Sequence, residues 1–217
     1  MIRKKVFFYS LLFVLISFTP LESPNIYAGD GRNRKPHFLI EGGVKTVPFL
    51  TGFALSFSSE KSRDELYLKI GIQSIKGDKK APDLCLENLK GGISELRKFR
   101  GKVVFLNFWA TWCGPCKEEM PSIEKLYQQF KERDFTFLSI SVDYEGKDPV
   151  KKFIEKQRYT FPVLLDPECK VLDLYDVKRI PTTILIDKNG KLIGKVTGPR
   201  NWNSQEVISL LNILLEK

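Results

Sequence analysis

The chain has 217 residues, 42% of them hydrophobic and 28% charged, with a net charge of +9 from 35 basic and 26 acidic side chains. This is a globular composition with room for one ordinary domain plus extras or two small ones, which excludes wholesale disorder. Four cysteines are too few for a disulfide-dense mini-scaffold, and one histidine leaves neither a multi-histidine metal site nor a Ser-His-Asp triad in the main domain. No run of 18 apolar residues occurs, so a polytopic membrane protein is excluded. The basic residues are scattered from Lys4 to Lys217. That pattern reads as a solvated surface, and no nucleic-acid partner is expected.

The first 28 residues read as an export address. Arg3, Lys4 and Lys5 precede a 13-residue apolar run, Val6–Phe18, and then polar and turn-forming residues lead to Ala28. A basic start, a short apolar core and a small residue before the cut make a secretory signal. A retained N-terminal anchor is the other reading, although the run is shorter than the ~20 residues of a comfortable span. No cysteine lies near the cut, so lipoprotein attachment is not expected. Either way the remainder faces an extracytoplasmic compartment, the periplasm or the outer face of the membrane, where disulfides persist.

Residues 29–80 read as an extension, packed on the following domain or forming a small β-rich module. His37, at its start, reads as a surface residue. Val47–Phe57 is apolar but interrupted by Pro48 and Gly52. Over Leu66–Ile75, Leu66, Leu68, Ile70 and Ile72 alternate with polar positions, which predicts a strand with one buried face.

From Ala81 the pattern sharpens. Asp83–Asn88 predicts a short strand, and Val103–Trp109 (VVFLNFW) a strand buried on both faces. Cys116, Met120, Ile123, Leu126, Tyr127 and Phe130 share a helical face. Phe135–Val142 is a second buried strand. Asp148 as N-cap and Pro149 at the first position predict a helix through Gln157. Phe161–Leu165 and Thr182–Asp187 are further strands. The turn Lys188-Asn189-Gly190 folds Lys191–Val196 back as an antiparallel partner, and Ser204 caps a last helix. The expectation is an α/β sandwich around a mixed sheet over residues 81–217.

The chemistry sits after the first buried strand. In Trp112-Cys113-Gly114-Pro115-Cys116-Lys117 two cysteines three residues apart open a helix. Unpaired amides and the partial positive charge of a helix N-terminus favour a thiolate, the nucleophilic form. Cys113, the outer cysteine of such a pair, is expected to attack a partner's disulfide, and Cys116 to resolve the mixed disulfide. A structural disulfide or half a zinc site are the other readings, but no second CxxC or nearby histidine completes a zinc site, and no metal is expected.

These features resemble thioredoxin. WCGPCK after a buried strand, Pro121 five residues on, and Ile180-Pro181-Thr182 before a strand carry the likeness. More narrowly, APDLCLEN, FRGKVVFLNFWATWCGPCKEEMP and YDVKRIPTTILIDKNGKLIGKVTG are similar to exported thioredoxins of the TlpA and ResA type. The resemblance covers residues 81–217. It implies a thioredoxin-like three-layer sandwich and an extracytoplasmic thiol–disulfide oxidoreductase, with no cofactor beyond the Cys113–Cys116 disulfide. Pro181 matches the family's cis-proline, which places the Ile180 backbone opposite Cys113 to pair with substrate. Trp112 and Pro115 border the same surface. Asn107 stands where cytoplasmic thioredoxins keep an aspartate. The resemblance assigns the resolving thiol's proton to a glutamate upstream of the strand, and Glu95 occupies that position, with a plain surface residue as the other reading. Lys178 and Arg179 flank the proline loop and read as solvated charges. Cys85 and Cys169 depart from the family pattern and are expected to form a structural disulfide, worth about 4 kcal/mol if unstrained, with two unrelated thiols as the other reading. Implied partners are exported client proteins with disulfides or CxxC sites, apocytochrome c among them, and a membrane thiol reductant of the DsbD or CcdA type. Two other functions within the fold are a peroxiredoxin-like antioxidant and a copper-site assembly protein. The first lacks a proline in residues 108–112, and the second has only His37 to offer.

Overall fold

The computed structural model describes residues 62–216. The expected signal segment, most of the extension, the Val47–Phe57 stretch and His37 lie outside them.

Eight strands form one mixed sheet in the order β1-β8-β7-β4-β5-β6-β2-β3. Its centre is β4 (Val103–Trp109), parallel to β5 (Phe135–Ser141) and antiparallel to β7 (Thr182–Ile186). Every residue of these three strands is buried. Their near-continuous apolar runs follow from being covered on both faces. β6 (Val163–Leu165) continues the parallel part, and β2 (Cys85–Asn88) and β3 (Ile93–Glu95) close one edge as a hairpin. β8 (Leu192–Thr197) and β1 (Gln73–Ser74) form the other edge.

Helices cover both faces. Side chains alternate along β4, so Phe105 and Trp109 point one way and Phe108 the other. On the first face lie α2 (Gly114–Phe130), α3 (Lys147–Gln157) and α5 (Gln205–Leu215) with its preceding loop. There Phe105 and Phe137 meet the Trp202 indole edge-on, and Trp109 meets Phe153 of α3. On the opposite face Phe108 meets Tyr175, just after the short α4 (Lys170–Leu174). This is the expected thioredoxin-like sandwich.

Two local expectations need correction. Residues 62–70 form a helix, α1, rather than part of a strand. Tyr67 and Ile70 are buried while Leu68 is 81% exposed, so the burial follows a helical period instead of the leucine–isoleucine alternation. Gly71 ends α1 in the left-handed region (φ 78°), with the Ile72 N–H bonded to Tyr67 O and the Gly71 N–H to Leu68 O. These are the paired bonds of a Schellman motif. Residues 62–74 are therefore built into the same sheet and core as the domain that follows. Second, α3 starts at Lys147 with Gly146 as N-cap, and Asp148 sits in its first turn without a capping bond. The short α4 and β3, five and three residues long, carry no clear periodic signal in the sequence.

Candidate active site

β4 ends at Trp109 and delivers the chain into α2 through Ala110–Cys113. A clamp fixes this crossing. The buried Asp143 carboxylate, just past β5, accepts from the Thr111 N–H (3.0 and 3.1 Å) and hydroxyl and from the Ser141 hydroxyl (2.6 Å). Cys113 is the N-cap of α2 and forms a disulfide with Cys116, their Cα atoms 5.3 Å apart. The Cys116 N–H points at Cys113 Sγ (3.2 Å). Cys113 retains 7% exposure and Cys116 none. The sulfur that can be reached is thus also the one held at the positive end of the helix. Pro115 lies in the first turn, where its missing N–H costs nothing.

The Ile180–Pro181 peptide is cis and leads into β7. Thr182 pairs with Phe108 and Thr183 with Asn107, so the proline reaches the same sheet end as Cys113. Trp112, 60% exposed, flanks the disulfide on the solvent side.

Glu95 does not join this site. It lies on β3, four strands away from β4, or about 19 Å at ~4.8 Å per strand. Its carboxylate pairs with Arg97 (2.5 Å) and Lys98 (3.5 Å) instead. The expected Cys85–Cys169 bridge is likewise absent. Both are free thiols, Cys85 exposed on β2, between β6 and the edge strand β3, and Cys169 half-buried at the start of α4.

The carboxyl group beneath the dithiol is Glu119, which the sequence reading missed. It lies one turn beyond Cys116 on the same face of α2. Only 3% of it is exposed. Oε1 accepts from Asn107 Nδ2 (2.9 Å), and Oε2 accepts from the Trp202 indole N–H (2.9 Å) and the Arg200 backbone N–H (3.1 Å). Burial is the largest influence and pushes its pKa up to about 7, against the opposing pull of the bonds from Trp202, Asn107 and Arg200. Asn107 also donates to Thr183 Oγ1 (3.0 Å), which ties the carboxylate to β7. An open cleft of about 450 Å³ separates α2 (Glu118, Glu119, Ser122) from the loop after β8 (Pro199, Arg200, Asn201) and brings solvent to Glu119. The Arg200 side chain reaches back to Ile70 O at the end of α1 (2.8 Å). A sequence signal for Glu119 existed. It falls on the apolar stripe of α2, at i+3 from Cys116, where a carboxylate has no packing reason to be.

Comparison with known proteins agrees with this geometry. The AhpC/TSA family profile matches residues 78–195. The thiol-disulfide oxidoreductase ResA of Geobacillus kaustophilus is 47% identical over 118 residues, 54% of this chain and 67% of that protein. ResA of Bacillus subtilis is 43% identical over 128 residues, 59% of this chain and 71% of that protein. Among solved structures, a thioredoxin-family thiol:disulfide interchange protein from Chlorobium tepidum superposes with a TM-score of 0.56 at 26% identity, over 65% of this chain and 99% of that one. The thioredoxin domain of a thiol-disulfide oxidoreductase from Bacteroides vulgatus does so with a TM-score of 0.57 at 28% identity, again over 65% and 99%. A reactive-looking cysteine pair on a thioredoxin-like sheet and relatives named for thiol–disulfide exchange lead to one conclusion: the chain belongs to the AhpC/TSA family and is a thiol–disulfide oxidoreductase of the ResA type.

Proposed function

We propose that this protein works outside the cytoplasm as a reductant of disulfides in exported proteins, with Cys113 as nucleophile, Cys116 as resolving thiol and Glu119 as its proton acceptor. The carrying observation is the buried Glu119 carboxyl one turn from Cys116, with a pKa of about 7. A base poised near working pH takes a proton efficiently.

In the reduced protein the Cys113 thiolate attacks one sulfur of a client disulfide. The client S–S bond breaks, a Cys113–client bond forms, and the departing client thiolate takes a proton. Cys116 then gives its proton to Glu119 and attacks Cys113 Sγ. The mixed disulfide breaks, the Cys113–Cys116 bond forms, and the second client thiolate leaves. Two electrons pass from the dithiol to the client. Glu119 returns its proton to water through the adjoining cleft. The Ile180 backbone, at the cis peptide, pairs with the client's extended chain, and Trp112 and Pro115 border the contact. No cofactor beyond the disulfide takes part. A membrane thiol reductant of the DsbD or CcdA type regenerates the dithiol.

Export rests on Arg3–Lys5 and the apolar run Val6–Phe18, read as a cleaved signal or retained anchor. Paired client cysteines suit the site, and the haem-binding CxxC of apocytochrome c is the client class we favour. Trapping tests the roles. Cys116→Ser should accumulate a mixed disulfide with a peptide disulfide, and Cys113→Ser should accumulate none. The reverse pattern would overturn the assignment.

A further inference from the structure

Given the client-disulfide chemistry proposed for Cys113, on which this step rests, we infer that Tyr144 and Trp112 form an aromatic docking rim. Its occupant is an extended client segment that carries an aromatic or large aliphatic residue within two positions of the attacked cysteine.

Five large hydrophobic side chains are exposed among the described residues: Leu68, Ile93, Trp112, Tyr144 and Leu174. Two of the five lie on the loops that follow β4 and β5, at the sheet end that carries the dithiol. Trp112 is 60% exposed and Tyr144 74%. Each follows directly on one member of the Thr111–Asp143 clamp, whose bonds hold the two loops together. The backbone that carries the rim is thus fixed before a client arrives, and only side-chain freedom is lost on docking. Its aromatic surface gains most by covering apolar surface.

The reach follows from the strand order. β7, β4 and β5 are consecutive neighbours, so Pro181, Cys113 and Tyr144 stand in a row at one end of the sheet. A client segment paired with the Ile180 backbone and bonded at Cys113 has one strand spacing, ~4.8 Å, to cross to the β5 loop. Two extended residues at ~3.3 Å each cover it. The contact is apolar because the two rings are its exposed surface; of the charges nearby Glu145 is exposed, while two others are engaged. Asp143 is buried and bonded to Thr111 and Ser141, and Lys147 Nζ lies 2.6 Å from Glu87.

The test uses the full chain, reduced with dithiothreitol, and two disulfide peptides. One has Phe two residues to each side of the attacked cysteine, and the other has Gly at the same positions. The readout is the ratio of kcat/KM for the Phe peptide to that for the Gly peptide. Tyr144→Ser should lower the ratio about 3- to 10-fold, the size of one aromatic contact. Tyr144→Phe should keep it. An unchanged ratio in Tyr144→Ser overturns the rim, whether both peptides slow equally or neither slows. If the wild-type protein reduces neither peptide, the client-disulfide reading has failed and the rim fails with it.

Discussion

Glu119 and Asn107 meet through a 2.9 Å hydrogen bond beneath the first turn of α2, and both are buried. Asn107 donates its amide protons to Glu119 and to Thr183, so it serves the carboxylate as a fixed dipole and does not itself take up a proton at neutral pH. The titrating group beside the dithiol has moved from the strand to the helix. Removing the carboxylate while keeping the hydrogen-bonding shape therefore isolates proton transfer.

Glu119→Gln should slow disulfide reduction by about 10²-fold at neutral pH, the low end for loss of a general base. The wild-type rate should rise with pH through an inflection near 7, because only the ionised carboxyl accepts the Cys116 proton. That inflection should vanish in the variant. A pH–rate profile from stopped-flow reduction checks both, and an unaltered inflection would remove Glu119 from the mechanism.

The same burial has a stability consequence. The Glu119 pKa is raised from 4.5 to about 7, so between these pH values the folded state holds more protons than the unfolded state. Its contribution is then most favourable below about 4.5 and is lost as pH rises to about 7. Relative to Glu119→Gln, the wild-type protein should lose on the order of 3 kcal/mol across that window. Urea unfolding of both proteins at several pH values measures the difference. Parallel stability curves would contradict the raised pKa.

The Asp143 clamp predicts a structural loss near the site. Asp143→Ala leaves the buried Ser141 hydroxyl and the Thr111 N–H without their acceptor. The cost should be about 3 kcal/mol, seen as a lower urea midpoint at an unchanged slope. Reduction of a small disulfide should also slow, since Thr111 fixes the approach to Cys113.

Gly71 turns α1 back toward the sheet at φ 78°, and a Cβ there would lie 2.9 Å from Arg200 Nη2. Gly71→Ala should destabilise the protein by about 1–2 kcal/mol through backbone strain and the displaced arginine. Loss of the Arg200–Ile70 bond would report the same change by amide exchange at the end of α1. An unchanged midpoint would mean that α1 contributes little.

Cys85 and Cys169 should remain thiols when Cys113 and Cys116 are oxidised. Denatured oxidised protein should bind two equivalents of a thiol reagent. None would mean the two have bridged.

The central elements were legible because their residues obey one period each. Val103–Trp109 is continuously apolar because β4 is covered on both faces, and the WCGPCK motif at its end marks the dithiol directly. Other elements depended on contacts that local pattern does not hold. In α1 the alternating Leu66, Leu68 and Ile70 fit a strand, and only the burial of Tyr67 against the sheet selects the helix. Position along the chain makes Glu95 resemble the family's glutamate, whereas the sheet order puts β3 at the far edge. Glu119 sits in the run Lys117-Glu118-Glu119, where spacing marks it as inward-facing. Its partners Asn107 and Trp202 come from 12 residues earlier and 83 residues later, so its raised pKa is a property of the fold.

The most direct test of the reductant reading is the reduction potential of Cys113–Cys116, measured by thiol trapping in glutathione and dithiothreitol buffers with Cys113→Ser as control. A reductant predicts a value near or below about −220 mV, in the range of glutaredoxin and thioredoxin. A value near about −120 mV, that of the strong oxidant DsbA, would contradict it and make the protein a donor of disulfides.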